Sequence, residues 1–166
     1  MLVTFDDWNG NPETVDNVTY TLNDYSSVFS PVGRLSLFTN SAGNAQMNTY
    51  PENYLLDVSD GDYFEYTVEA VSGYVFDWAV MSYKVAGGSD MTTTITAGSE
   101  SWTLTQPGNP SVLFTDTYTS LTVRNDFTAG QIQGSSHTNS FSLSPVPIPG
   151  ALWLLGTGLV GLLGVR

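Results

Sequence analysis

At 166 residues the chain has room for one domain and a tail, and little more. Sixteen acidic residues against four basic ones give a net charge of −12, and the only cations before Arg166 are Arg34, Lys84 and Arg124. Without clustered Lys and Arg to neutralise phosphates, nucleic acid is excluded as a partner; the absence of cysteine removes disulfides, thiol catalysis and thiolate metal sites.

Charged residues make up 12% of the chain, about half the usual share for a soluble domain. Abundant Thr, Ser, Asn and Gly with many aromatics suit an extracellular β-protein. The segment Met1 to Trp8 has no basic region followed by an apolar run. It is expected to be the first strand of a mature domain, with the export signal encoded upstream.

In chain order, strands are predicted over residues 18–22, 34–38, 62–70, 74–85, 91–97, 101–105, 118–123 and 140–143. Turn chemistry separates them at Asn9-Gly10-Asn11-Pro12, Ser41-Ala42-Gly43-Asn44, Asp60-Gly61, Ser72-Gly73, Gly87-Gly88, Pro107-Gly108-Asn109-Pro110 and Ala129-Gly130. The clearest signal is Asp62 to Ala70. There Phe64, Tyr66, Val68 and Ala70 fall on one face, and Tyr63, Glu65, Thr67 and Glu69 on the other. The next strand places Phe76, Trp78 and Val80 together, opposite Val75, Ala79, Met81 and Tyr83, and the two strands form a hairpin or a corner between sheets. No run before residue 150 has helical apolar periodicity beyond two turns. The expected fold is all-β: an antiparallel β-sandwich of jelly-roll type.

Chemistry is sparse. His137 is the single histidine, in a polar stretch, and no Gly-x-Ser-x-Gly elbow accompanies it. Glu65 and Glu69 share a strand face but sit roughly 13 Å apart along it, wider than a retaining glycosidase pair needs. Asp57, Asp60 and Asp62 surround the Asp60-Gly61 turn and offer hard oxygen ligands suited to calcium, without EF-hand spacing. Trp78, alternating with Phe76 and Val80, is expected in the core, as is Trp102 with Leu104. Trp8, beside Asp6, Asp7 and a turn, is the candidate ligand-binding aromatic.

Composition changes at Ser144. Pro145-Val146-Pro147-Ile148-Pro149-Gly150 can be neither helix interior nor central strand, and is predicted to be an extended linker. An uncharged apolar run follows, dotted with Gly156, Gly158, Gly161 and Gly164, and ends at Arg166. From Ile148 to Val165 a helix would measure about 27 Å, close to the roughly 30 Å of a hydrocarbon core. Trp153 would sit at the outer interface and Arg166 on the cytoplasmic side, leaving the β-domain outside. The division expected is an ectodomain over 1–144, a linker over 145–150 and one transmembrane helix over 151–166.

The proline run with its glycine-rich apolar helix, Pro145 to Leu162, resembles the PEP-CTERM sorting signal. The resemblance covers about 22 residues. It implies export in a Gram-negative bacterium, an inner-membrane-anchored precursor, and recognition by exosortase, a membrane protease-transpeptidase, with Pro147 and Pro149 as recognition residues. Ile148 stands where the family's name motif has Glu, and the terminal basic cluster is reduced to Arg166. The stretch Tyr63 to Ala70 with Gly73-Tyr74-Val75 is similar to the jelly-roll domains that accompany this signal. By the same likeness, Asp6 and Asp7 would hold a structural calcium near the N-terminus. The function expected is that of a non-enzymatic surface or matrix protein, sorted and processed through its tail, in association with exopolysaccharide or biofilm. The alternative is a calcium-stabilised carbohydrate-binding module; a secreted hydrolase comes third.

Overall fold

The alternation read over residues 62–70 is strand β7 (Tyr63–Ala70), whose Phe64, Tyr66 and Val68 are fully buried. The computed structural model describes residues 2–30, 33–39, 44–51, 55–83, 89–105, 110–133 and 137–146. Its elements are β1 (Leu2–Thr4), α1 (Phe5–Trp8), β2 (Glu13–Val15), β3 (Val18–Tyr25), β4 (Gly33–Thr39), β5 (Ala45–Pro51), β6 (Leu55–Val58), β7, β8 (Tyr74–Tyr83), β9 (Met91–Ala97), β10 (Glu100–Thr105), β11 (Ser111–Tyr118), β12 (Ser120–Phe127), β13 (Gly130–Gln133) and β14 (His137–Pro145).

Two antiparallel sheets face each other. The front sheet runs β1-β4-β5-β14-β8-β11 and the back sheet β10-β9-β12-β7-β3-β2, while β13 and β6 form a separate pair. The core between them is apolar and rich in rings. Phe64 lies 5.4 Å from Phe5, 5.5 Å from Phe29 and 5.9 Å from Phe127, centroid to centroid. From the front sheet Leu37, Met47, Phe76, Met81 and Phe141 close against this cluster, each almost wholly buried. Burial of side chains of this size stabilises the fold by about 1.5–3 kcal/mol each.

A short polar network crosses the core. Asn139 on β14 donates to the Tyr66 hydroxyl at 2.8 Å and to Asn125 Oδ1 at 3.1 Å, and Thr93 donates to the same oxygen at 2.7 Å. The Asn125 amide nitrogen is buried without a hydrogen-bond partner.

The segment expected as an opening strand is divided. After β1 the chain turns into the single helical turn α1, because Thr4 accepts a capping bond from the Asp7 amide at 3.1 Å. Asp6 and Asp7 occupy its first turn, where carboxylates meet the positive end of the helix dipole. Spacing of three residues then drives both Phe5 and Trp8 into the core.

The pair β7–β8 is a corner, since β7 belongs to the back sheet and β8 to the front. Gly73 makes the turn at φ +93, a conformation that disfavours side chains. The strand expected over 118–123 is likewise broken, at Thr119, where β11 in the front sheet gives way to β12 in the back sheet. Strands β2, β5, β6, β11 and β13 are additional to those the alternation predicts. The helix expected over 151–166 lies outside the described residues, and among those described no helix is long and apolar enough to cross a membrane.

Candidate functional site

Strand β8 does not keep the alternation its sequence suggests. Phe76 pairs with Leu143 and Ala79 with Phe141, so three steps along β8 oppose two along β14. This is a β-bulge, in which one extra residue re-aims the side chains around it. Phe76, Ala79 and Met81 are buried as a result. Asp77, Trp78 and Val80 are half-buried and belong to the outer face. The core position expected for Trp78 is therefore corrected: the bulge turns its indole out.

Beside it, β11 forms the edge of the front sheet, with Leu113 opposite Trp78 and Ser111 opposite Val80. Leu113 is 75% exposed. Trp78, Val80, Ser111, Val112 and Leu113 line an open depression of about 390 Å³. On its other flank Ser140 pairs with Val80 and accepts a hydrogen bond from the Gln46 amide at 2.8 Å. Asp77 Oδ2 accepts from the Ser144 hydroxyl at 2.7 Å, while its Oδ1 is shielded from water and has no hydrogen-bond partner. An apolar platform with hydroxyl, amide and carboxylate groups at its margin is the usual make-up of a small-molecule site.

Trp8 cannot serve as the ligand contact expected of it. It is fully buried, its Nε1 donates to the Tyr20 carbonyl at 3.1 Å, and its ring packs 5.8 Å from Tyr66. Trp102 packs at 4.7 Å on Phe114 and closes one edge of the sandwich together with Tyr118.

Each of the five aspartates proposed for calcium has a hydrogen-bond partner of its own. Asp6 accepts from the Tyr25 hydroxyl at 3.0 Å and from Ser30 at 2.7 Å, and Asp7 accepts from Thr4 at 2.8 Å. Asp57 accepts from the Gln131 side chain at 2.8 Å, across the β6–β13 pair. Asp60 accepts from the Ala129 amide and Asp62 from the Ser59 amide, each at 2.7 Å. Among the described residues no three His, Asp or Glu side chains come together as a metal cage.

Glu65 and Glu69 lie on β7 in the back sheet, on the opposite side of the molecule from Trp78. Glu65 accepts from Asn23 at 3.2 Å, and Arg124 opposite it turns instead to Asp126 at 2.9 Å and over the Tyr63 ring at 3.7 Å. The acidities that are shifted have local causes. The Tyr63 hydroxyl, 2.5 Å from Asp24, is the main cause of that carboxyl's lowered pKa. Burial holds the Tyr20 and Tyr66 phenols well above their ordinary value, and the Glu100 carboxylate raises Tyr118 through a 2.6 Å hydrogen bond.

Of the tail motif, Pro145 is the final residue of β14, opposite Tyr74, so the strand runs one residue into the segment expected as a linker, at an end position where proline's missing donor is tolerated. Pro145 and Val146 are exposed, and the Val146 amide donates to the Gly73 carbonyl at 2.9 Å. Pro147, Ile148, Pro149, Gly150, Trp153 and Arg166 lie outside the described residues.

No protein-family model matches the chain, and no curated protein does. Among solved structures, it is similar to that of TmCBM61 in complex with beta-1,4-galactotriose, at 12% identity, over 70% of this chain and 90% of that one, with a TM-score of 0.31.

Proposed function

We propose that the β-sandwich is a non-enzymatic carbohydrate-binding module of an exported surface protein. One observation carries this reading: a bulge turns Trp78 onto the outer face of the front sheet, directly opposite the 75%-exposed Leu113. Sugar rings present apolar C–H faces edged with hydroxyls. An indole offers a rigid apolar surface for such a face, and Ser111, Gln46 and Asp77 offer polar partners nearby. The placement of Glu65 and Glu69 on the far sheet supports binding over hydrolysis. The order β5-β14-β8-β11 against β7-β12-β9-β10 supports the jelly-roll reading, because it is the order made by wrapping four hairpin pairs around a barrel.

The tail supplies the address. The resemblance of Pro145 to Leu162 to the PEP-CTERM signal supports a Gram-negative export route, an inner-membrane-anchored precursor recognised by exosortase, and a final place on the cell surface or in an exopolysaccharide matrix. The last strand described, β14, ends at Pro145. Mass spectrometry of protein recovered from its native envelope tests this half; an intact Arg166 terminus throughout would refute processing.

The binding half is tested by affinity electrophoresis of the full chain in gels containing soluble polysaccharides, beside Trp78→Ala. At least one polymer should retard the parent and not the variant. A variant retarded as strongly as the parent, or a parent retarded by none, would overturn the reading.

A further inference from the structure

Resting on that carbohydrate-binding reading, we propose that the ligand is an uncharged sugar polymer and that Asp77 is the residue that selects it. The bulge places Asp77 and Trp78 consecutively between the inward Phe76 and Ala79, so both belong to the outer face. Ser144, also on that face, donates to Asp77 Oδ2 at 2.7 Å. The second oxygen, Oδ1, is shielded from water and has no donor among the described residues.

A carboxylate offers about four acceptor positions, and among the described residues one side-chain donor, Ser144, uses them. Buried acceptors without partners are rare, and each asks for a cause. A ligand donor is the cause that fits this place, because the same residue pair provides a ring-sized apolar surface one residue away. The Asp77 side chain is half-buried overall, so a small rotation brings Oδ1 to the surface. There a sugar hydroxyl donates to it while the C–H face of the ring covers Trp78.

Charge narrows the class. A uronate or sulfate would approach the Asp77 carboxylate on a chain of net charge −12, and like charges at short range repel. An ammonium-bearing sugar would have to shed water in a depression walled by Val80, Val112 and Leu113, and a single carboxylate does not offset that desolvation. A neutral hydroxyl donor suffers neither penalty.

The test uses the full chain and four probes: neutral β-galactan, neutral β-glucan, polygalacturonate and chitosan. Parent, Trp78→Ala and Asp77→Asn are compared between about 0.1 M and 1 M NaCl, over which the Debye length falls from about 10 Å to about 3 Å. Asp77→Asn keeps an acceptor for Ser144 and removes the charge. A neutral probe should bind with little salt dependence, and Asp77→Asn should weaken it by about tenfold, the scale of one hydrogen bond to a charged group. Unchanged melting of Asp77→Asn would locate the loss in the site and not in the fold. Preference for polygalacturonate or chitosan, steep salt dependence, or full affinity in Asp77→Asn would overturn this inference while leaving the binding reading intact, provided Trp78→Ala still abolishes retention. Loss of both follows if Trp78→Ala binds like the parent.

Discussion

Asn139 on the front sheet and Tyr66 on the back sheet meet in the middle of the core through a 2.8 Å hydrogen bond from amide to phenol. Asn139 is 2% exposed and Tyr66 fully buried, so neither group can turn to water if the other is removed. The same amide supports Asn125 Oδ1, which Thr93 also reaches. Asn139→Ala should therefore destabilise the fold by roughly 2–4 kcal/mol, combining unmet buried groups with a small void. Urea denaturation of parent and variant measures it. A change within about 0.5 kcal/mol, the usual range for surface substitutions, would show that the crossing network contributes nothing.

The two tryptophans at positions 8 and 78 should separate stability from binding. Trp8→Phe keeps an aromatic ring in the core but leaves the Tyr20 carbonyl without its 3.1 Å donor, at a cost of roughly 1–3 kcal/mol. Its polysaccharide retention should match the parent's. Trp78→Ala should lose retention and keep the parent's urea midpoint to within about 0.5 kcal/mol, as expected of an outward residue. The reverse pattern would place the sugar site elsewhere.

This reversal of the two tryptophans also marks where the sequence stops being legible. Period-two alternation identifies the face of β7 because Phe64, Tyr66 and Val68 sit on an unbroken ladder. It fails on β8, where every residue from Val75 to Met81 except Asp77 is apolar, so an extra residue at the bulge leaves no trace in the pattern. Asp77 stands out in the sequence only as a carboxylate set within an apolar run. Trp8 looked exposed because acidic residues flank it, yet those acids belong to the first turn of α1, which faces water while Phe5 and Trp8 face in. Short strands such as β6 and β13 offer too few residues for any period to be read. Asp57, Asp60 and Asp62 share a turn in sequence, but the Gln131 side chain and the Ala129 and Ser59 backbone amides each engage a different one of these carboxylates.

Gly73 ties the corner to the start of the tail. Its φ of +93 is open to glycine, and a Cβ built there meets nothing within 4 Å. Gly73→Ala should thus cost about 1–2 kcal/mol through backbone conformation alone, without a clash. Its carbonyl receives the Val146 amide, so the variant should also speed amide exchange at Val146. An unchanged urea midpoint would mean that the corner adopts another conformation freely.

Alkali should unfold the protein by way of its buried phenols. Burial is the first cause of the raised pKa of both Tyr20 and Tyr66, and the Tyr20 hydroxyl donates to the Gln46 carbonyl at 3.3 Å. In the unfolded chain a tyrosine ionises near pH 10. The folded pKa lies above that, so the stabilisation is complete below about pH 10 and is lost as pH rises toward the folded value. The slope is about 1.4 kcal/mol per pH unit for each such phenol. Above about pH 10 the urea midpoint should fall steeply, and the last tyrosinate absorbance should appear together with the loss of sheet circular dichroism. Tyr20→Phe removes one of the two ionisations and should make the decline shallower by about one phenol's share. A midpoint that held level through strong alkali, or a Tyr20→Phe profile parallel to the parent's, would mean that these hydroxyls reach water in the folded protein.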